Sequence, residues 1–345
     1  MAGRVTIADV ARLAGVHQAT VSRALNAATE SQVNPATAKR IRRVAKEIGY
    51  IPNVVARGLR TRLSMTVGVI IPDLTNPIFP LIVRGLEDYL APRGYTALLA
   101  NTDRNDATEQ RIFDSMMQRH VDGFVFATGH SDHALLAQSR DQGVPVVLVN
   151  RGVSDLSFPL ITGDDKSGVF AVIEHLATLG HRRILHLAGP VGYSTSEARA
   201  EAFVAACAAN GVVYAPSVST DEFSIAAGRR VIDAAIDRNP RDVTAIVAAN
   251  DLLALGALRA IRGHGLSCPE DISVTGYNDV AFSEDFRPPL TTVRVPYTQM
   301  GSEAGRLLLS EIKERSEPPF TITLPVSLVI RESTAKAPVT TAAAR

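Results

Sequence analysis

Apolar and polar positions along this chain follow two regimes. Over the first fifty residues they repeat at helical spacing. Val10, Leu13 and Ala14 share one face of a short helix that Thr6 can cap, Asp9 sits three residues on as an acidic partner, and Gly15 breaks it. Val16 is apolar, and a second helix spans 18–25. A third is marked by Asn34 as cap, Pro35 in its first turn and Gly49 past its end. Ile41, Val44, Ala45 and Ile48 form its buried stripe, and Arg40, Arg42, Arg43 and Lys46 its wet side. From residue 66 the pattern becomes continuous apolar runs between amphipathic stretches. Strands are predicted over 66–71, 95–100, 123–126 and 145–149, with helices over 78–93 and 107–119. The pattern restarts with a helix over 166–179 and strands over 183–188, 245–249 and 272–277. Such runs predict parallel sheets covered on both faces, here an α/β body of two subdomains. The strand at 291–295 and the helix at 299–314 are expected to return to the first subdomain, and 324–330 to close the second.

Two short helices joined by a tight glycine turn match the helix-turn-helix pattern. In that arrangement the N-terminal residues of the second helix enter the major groove. Here they are His17, Gln18 and Ala19, with Arg23 about a turn later. Gln pairs with adenine and Arg with guanine, while Thr20 and Ser22 suit phosphates. Charge bears on this. Residues 1–62 carry eleven Lys/Arg and three Asp/Glu, a net +8, which leaves −7 on the rest. A basic head on an acidic body points to a polyanion partner. On charge alone, a solvated basic face reads equally well.

The remaining composition excludes more than it proposes. Of 345 residues 46% are hydrophobic and 21% charged, as in ordinary globular proteins. The two cysteines, Cys207 and Cys268, are far apart, which fits a reducing compartment. No long apolar stretch marks a secretory signal and no run is long enough to span a bilayer, so the protein is expected in the cytoplasm, without a membrane partner. His175, His181 and His186 are not at metal spacing on one helix face, His130 and His133 read as lying in a loop, and HExxH, paired cysteines and GxSxG are missing. Gly189-Pro190-Val191-Gly192 lacks the GK[ST] ending of a phosphate loop. Neither metal, cofactor nor enzymatic activity is expected.

The run Val5-Thr6-Ile7-Ala8-Asp9-Val10-Ala11, then Ala14-Gly15-Val16 and Thr20-Val21-Ser22-Arg23-Ala24-Leu25-Asn26, resembles the N-terminal signature of the lactose/galactose repressor (LacI/GalR) family. Gly49-Tyr50-Ile51-Pro52-Asn53-Val54-Val55-Ala56-Arg57-Gly58-Leu59 resembles its hinge, which becomes helical on operator DNA. By position Leu59 is the leucine that pries open the minor groove, and Asn53 and Ala56 fall on hinge positions. Thr6, His17, Gln18, Ala19, Thr20, Ser22, Arg23 and Asn26 complete the implied DNA-contact set. His17 departs from the family's usual serine, which predicts weaker capping. In the body, Ile71-Pro72-Asp73-Leu74-Thr75-Asn76-Pro77, Leu187-Ala188-Gly189-Pro190, Ala248-Ala249-Asn250-Asp251 and Pro288-Pro289-Leu290-Thr291-Thr292-Val293 match further blocks. The resemblance spans about residues 4–334 and implies a periplasmic-binding-protein-like body that takes a small effector between its subdomains.

Ligands of such sheets bind beyond the carboxyl ends of the strands. The implied effector set is Asn76, Ile78, Phe79, Asn150, Arg151, Arg199, Phe223, Asn250 and Asn278, with Tyr277 beside it. Arg199 is expected to open a helix. The set suits a polyhydroxylated ligand such as a sugar, and a purine would use similar groups. Asn150 and Asn278 stand where many members carry Asp, and Val295 where many carry Gln. Arg151 and Arg199 without a nearby Asp favour an anionic sugar acid or sugar phosphate; a neutral sugar is the equal alternative. Asn250 is alternatively a helix cap, and Phe79 and Phe223 alternatively core. The expected organisation is a helix-turn-helix domain over 1–49, a hinge over 50–62, an effector and dimerisation body over 63–334 and a disordered tail over 335–345. Within the body, 63–163 with 294–321 form one subdomain and 164–293 with 322–334 the other. The expected protein is a homodimeric repressor on a pseudopalindromic operator. A transport component would need an export signal in place of the basic head, and a sugar-modifying enzyme would need a catalytic constellation. Footprinting would separate an architectural protein.

Overall fold

The computed structural model describes residues 5–26, 29–50, 63–154, 157–214, 217–238, 243–314 and 318–338. The chain divides into two compact units, 1–64 and 65–345. Residues 51–62 lie outside the described set, and with them Asn53, Ala56 and Leu59 of the expected hinge.

The first unit is three helices: α1 (Ile7–Ala14), α2 (Gln18–Ala24) and α3 (Pro35–Glu47). Thr6 and Asp9 close a reciprocal capping box on α1, and Gly15 ends it in the left-handed conformation at φ +61°. Asn34 caps α3 through Ala36 N–H, with Pro35 in the first turn. Val10, Val21 and Ile41, one from each helix, are fully buried at the centre of the core.

The second unit holds β1 (Thr66–Ile71), α4 (Ile78–Leu90), β2 (Thr96–Asn101), α5 (Asp106–Gln118), β3 (Phe124–Phe126), α6 (Ala134–Asp141), β4 (Val146–Val149) and β5 (Leu160–Gly163). Then come α7 (Asp165–Thr178), β6 (Arg183–Ala188), α8 (Ser194–Ala209), the short β7 (Val213–Tyr214) and β8 (Val218–Ser219), α9 (Ile225–Arg238), β9 (Ala245–Ala248), α10 (Asp251–Gly263) and β10 (Ser273–Asn278). The chain closes with β11 (Thr291–Arg294), α11 (Tyr297–Lys313), β12 (Thr321–Leu324) and β13 (Ser327–Val329). One sheet runs β12-β5-β4-β3-β1-β2, and the other β13-β11-β10-β9-β6-β7 with β8 also on β6. All pairs are parallel except β11 with β13. Strands buried along their whole length, such as β3, β4 and β9, account for the unbroken apolar runs in the sequence.

Three expectations need correction. Strand β11 belongs to the second sheet, where Thr275 faces Thr291 and Tyr277 faces Val293. The chain returns to the first lobe only with α11, which lies on α4 at close range. A Cβ on Gly85 would run into the Thr298 carbonyl, and one on Gly301 into the Ile82 carbonyl. The last apolar stretch is two strands: β12 extends the first sheet beside β5, and β13 crosses to the second. The tail is not loose from residue 335. Ala335 N–H donates to Ser273 Oγ at 3.1 Å and its carbonyl accepts from His181 Nε2 at 3.0 Å, while Ala337 N–H donates to the Leu179 carbonyl at 2.9 Å. Among the described residues no helix is long and apolar enough to cross a membrane.

Candidate functional site

In the first unit His17, Gln18, Ala19 and Arg23 are exposed, with Thr20, Ser22 and Asn26 half-buried beside them. They run from the cap of α2 to just past its end, and Thr6 is exposed at the start of α1. His17 caps α2 after all: its Nδ1 accepts the Ala19 N–H at 3.2 Å, the role a serine hydroxyl plays elsewhere. Arg12 pairs with Asp9, Arg42 with Glu30 and Arg43 with Glu47. Arg23, Lys39, Arg40 and Lys46 have no acidic partner among the described residues, so a surplus of positive charge faces solvent.

In the second unit the lobes meet where β4 and β6 end. Ser131 N–H donates to the Gly192 carbonyl at 3.0 Å, Gly152 N–H to Ser194 Oγ at 2.9 Å, and Arg104 pairs with Glu222 at 3.3 Å. Arg151, directly after β4, reaches across this junction. Its guanidinium lies 4.2 Å over the Tyr193 ring and 5.4 Å from that of Phe223. Burial pulls its pKa down to about 10, and the positive charges of Arg199 and Arg104 add to this against Tyr193 and Tyr297. It is still a cation at neutral pH.

Arg199 lies in the second turn of α8, not at its start, because α8 begins at Ser194. It is not without an acid. Its Nε donates to Asp165 Oδ1 at 2.8 Å, its Nη1 to the Ala249 carbonyl at 2.6 Å, and its face lies 3.8 Å over the Tyr277 ring. Burial lowers the Arg199 pKa, but Asp165 and the two tyrosines Tyr277 and Tyr297 more than offset it, so the net direction is upward. The expectation of two unpaired arginines therefore holds for Arg151 alone.

The asparagines are oriented by the protein itself. Oδ1 of Asn76 accepts the Ile78 N–H at 3.3 Å, Oδ1 of Asn250 accepts the Leu253 N–H at 2.8 Å as cap of α10, and Oδ1 of Asn278 accepts the Tyr297 hydroxyl at 2.7 Å. Asn150 and Asn278 have positive φ, +68° and +118°, which asparagine tolerates better than most residues. Phe79 and Ile78 point into the core of the first lobe, whereas Phe223 is half-buried against Gly189 and near Tyr193. Behind these residues Asp251 is fully buried, accepting from Thr292 Oγ1 at 2.6 Å and Val280 N–H at 2.9 Å. Burial pushes its pKa up to about 7 against those two hydrogen bonds.

Arg151, Arg199, Phe223, Asn76, Asn150, Asn250 and Asn278 thus stand at strand ends or on the helices that follow, around the junction of the lobes. The sequence reading missed Asp165, Tyr193 and Tyr297. Asp165 follows Asp164, the cap of α7, and reads as one more first-turn acid. No cluster of three or more His, Cys, Asp or Glu able to hold a metal occurs among the described residues.

Residues 6–53 match the family described as bacterial regulatory proteins, lacI family, and residues 173–334 match a periplasmic binding protein-like domain. The chain is 36% identical over 338 residues to the HTH-type transcriptional regulator CelR of Thermobifida fusca, covering 96% of this chain and 98% of that one. Among solved structures, a transcriptional regulator CelR–cellobiose complex superposes with a TM-score of 0.73 at 33% identity, covering 96% of this chain and 100% of that one. The lac repressor dimer bound to operator and the anti-inducer ONPF gives a TM-score of 0.84 at 28% identity, with the same coverage.

Proposed function

This chain belongs to the lacI family of bacterial regulatory proteins and is a DNA-binding transcription regulator; from that premise we propose that it is a homodimeric repressor whose hold on a pseudopalindromic operator is set by a sugar-like effector bound between the lobes of its body. The observation that carries the reading is the combination in one chain of two features. A basic three-helix unit exposes His17, Gln18, Ala19 and Arg23. An α/β body gathers Arg151, Arg199 and three oriented asparagines where its strands end.

Gln18 and Arg23 read base edges, while Thr6, Thr20, Ser22 and Asn26 hold the backbone, with His17 and Ala19 at the helix start. Residues 50–62 act as the hinge, with Leu59 opening the minor groove and Asn53 and Ala56 contacting the DNA from hinge positions. In the body Asn76, Asn150, Arg151, Arg199, Phe223, Asn250 and Asn278 bind the effector. Ile78 and Phe79 shape the wall from the core side. The relatives' printed ligands, cellobiose and ONPF, support a sugar or glycoside class. Effector binding changes how the lobes meet, through bonds such as Ser131 to Gly192, and the hinges carry that change to the DNA. The protein works in the cytoplasm and has no catalytic role. Footprinting on the DNA flanking its own gene tests this. Two protected half-sites related by a two-fold axis are expected, one helical turn or a multiple apart. Unpatterned coverage at all concentrations would refute the operator reading.

A further inference from the structure

The junction of the lobes holds a cation that the described residues leave unanswered. Arg151 is 5% exposed, and among the described residues its buried Nε has no hydrogen-bond partner. The charged groups with the largest influence on it are Arg199 and Arg104, both cations. Each of those has an acid of its own, Asp165 for Arg199, and Asp73 and Glu222 for Arg104. Burying a guanidinium without a counter-charge is costly, and proteins rarely keep one unless something else completes it. The aromatic faces of Tyr193 and Phe223 hold the guanidinium by its plane and edge contacts, without supplying an acceptor.

The polar groups around it lean the same way. Asn76, Asn250 and Asn278 each commit the carboxamide oxygen to a protein donor, which leaves the NH2 group as the end available to a ligand. The nearby carboxylates are already engaged: Asp165 on Arg199, and Asp73 and Glu222 on Arg104. A neutral sugar offers hydroxyls that donate as well as accept, and such a donor-rich wall answers only half of them. Carboxylate and phosphate oxygens only accept, and a guanidinium fork meets them in bidentate fashion.

We propose that the effector is an anion, a sugar acid or sugar phosphate, whose carboxylate or phosphate is bound by Arg151. This rests on the reading that the effector sits between the lobes. The test is calorimetric and thermal-shift titration of the full-length protein, at constant ionic strength, with inorganic phosphate, gluconate, ribose 5-phosphate, ribose and cellobiose. It uses wild type, Arg151→Gln and Arg151→Lys. At least one of the three anions is expected to bind wild type, at least tenfold more weakly to R151Q, and with intermediate strength to R151K, which keeps the charge and loses the fork. Gluconate against the two phosphates identifies which anion is preferred. Without ligand, R151Q is expected to unfold at the wild-type temperature or above, because it removes an unanswered buried charge; a clearly lower midpoint would assign Arg151 a structural role and overturn the proposal. Failure of all three anions on wild type, or equal binding to R151Q, would also overturn it. If ribose or cellobiose releases DNA from wild type and R151Q alike, the anion is refuted and the regulator reading survives.

Discussion

Replacing Asp165 by alanine strips Arg199 of its bonded carboxylate and leaves the guanidinium buried. What remains is the Ala249 carbonyl at 2.6 Å and the Tyr277 face at 3.8 Å. Neither neutralises the charge, and Arg199, at 5% exposure, cannot turn to water without opening the α8 face. Breaking a buried pair from one side costs roughly 3–5 kcal/mol. For a body of this size each kcal/mol moves the melting midpoint by about 2–4 °C, so Asp165→Ala is expected to melt roughly 10 °C below wild type. Asp165→Asn keeps an acceptor for Nε and loses only the charge, so it should fall between. The double variant Asp165→Ala/Arg199→Met removes both charges and should recover most of the loss, since a buried pair itself adds little net stability. Urea denaturation followed by circular dichroism, read as midpoints at constant slope, measures all four proteins. D165A within about 1 kcal/mol of wild type would refute the assignment of Asp165 as the counter-charge, as would a double variant no better than the single.

His186, stacked on Phe203 at 4.7 Å, is pushed by burial, with help from Arg199, to a pKa of about 4 from 6.5. Its folded value lies below its unfolded one, so the stability it permits is full above pH 6.5 and is lost as pH falls toward 4, on the order of 3 kcal/mol; urea midpoints across that window should flatten in His186→Gln. Asp251 has the opposite sign: its folded pKa of about 7 exceeds the ordinary 3.8, so a cost accumulates as pH rises from about 4 to 7. Asp251→Asn should therefore gain stability relative to wild type at pH 8 more than at pH 5, as Thr292's hydroxyl can turn to accept. Gly301→Ala forces α11 off α4 and should cost at least about 2 kcal/mol by thermal unfolding. His17→Ala removes the α2 cap and should cost about 1 kcal/mol in the first unit, with His17→Ser close to wild type, read by the loss of its helical signal on heating.

Much of this molecule was legible because burial on both faces of a parallel sheet leaves a visible apolar run. Strands β1 and β6 were bounded to the residue, and β9 to within one residue, for that reason. The three-helix unit was equally plain, since capping residues and Gly15 punctuate it. What periodicity does not encode is which sheet a run joins. Strand β11 lies next to the crossing back to the first lobe, and its sheet is set by pairings that periodicity does not show: parallel with β10, the strand just before it, and antiparallel with β13. Likewise α6 and β5 were passed over: α6 is short, and β5 alternates in burial at the sheet's far side. The strand-end rule pointed to Arg151 and the asparagines, which do stand at or next to strand ends. It could not tell that Arg199 sits inside α8 facing Asp165, because an acid in the first turn of one helix meets an arginine in the second turn of another only after both pack.

Operator binding by fluorescence anisotropy, with the full-length protein at physiological salt, measures the coupling directly. The DNA is the footprinted site and a scrambled control, each titrated with and without saturating gluconate or ribose 5-phosphate. A preference for the site of at least about 1,000-fold is expected, with a ligand-induced change in its affinity of roughly 5- to 150-fold that vanishes in Arg151→Gln. Equal affinity for both DNAs, whatever ligand is present, would contradict it.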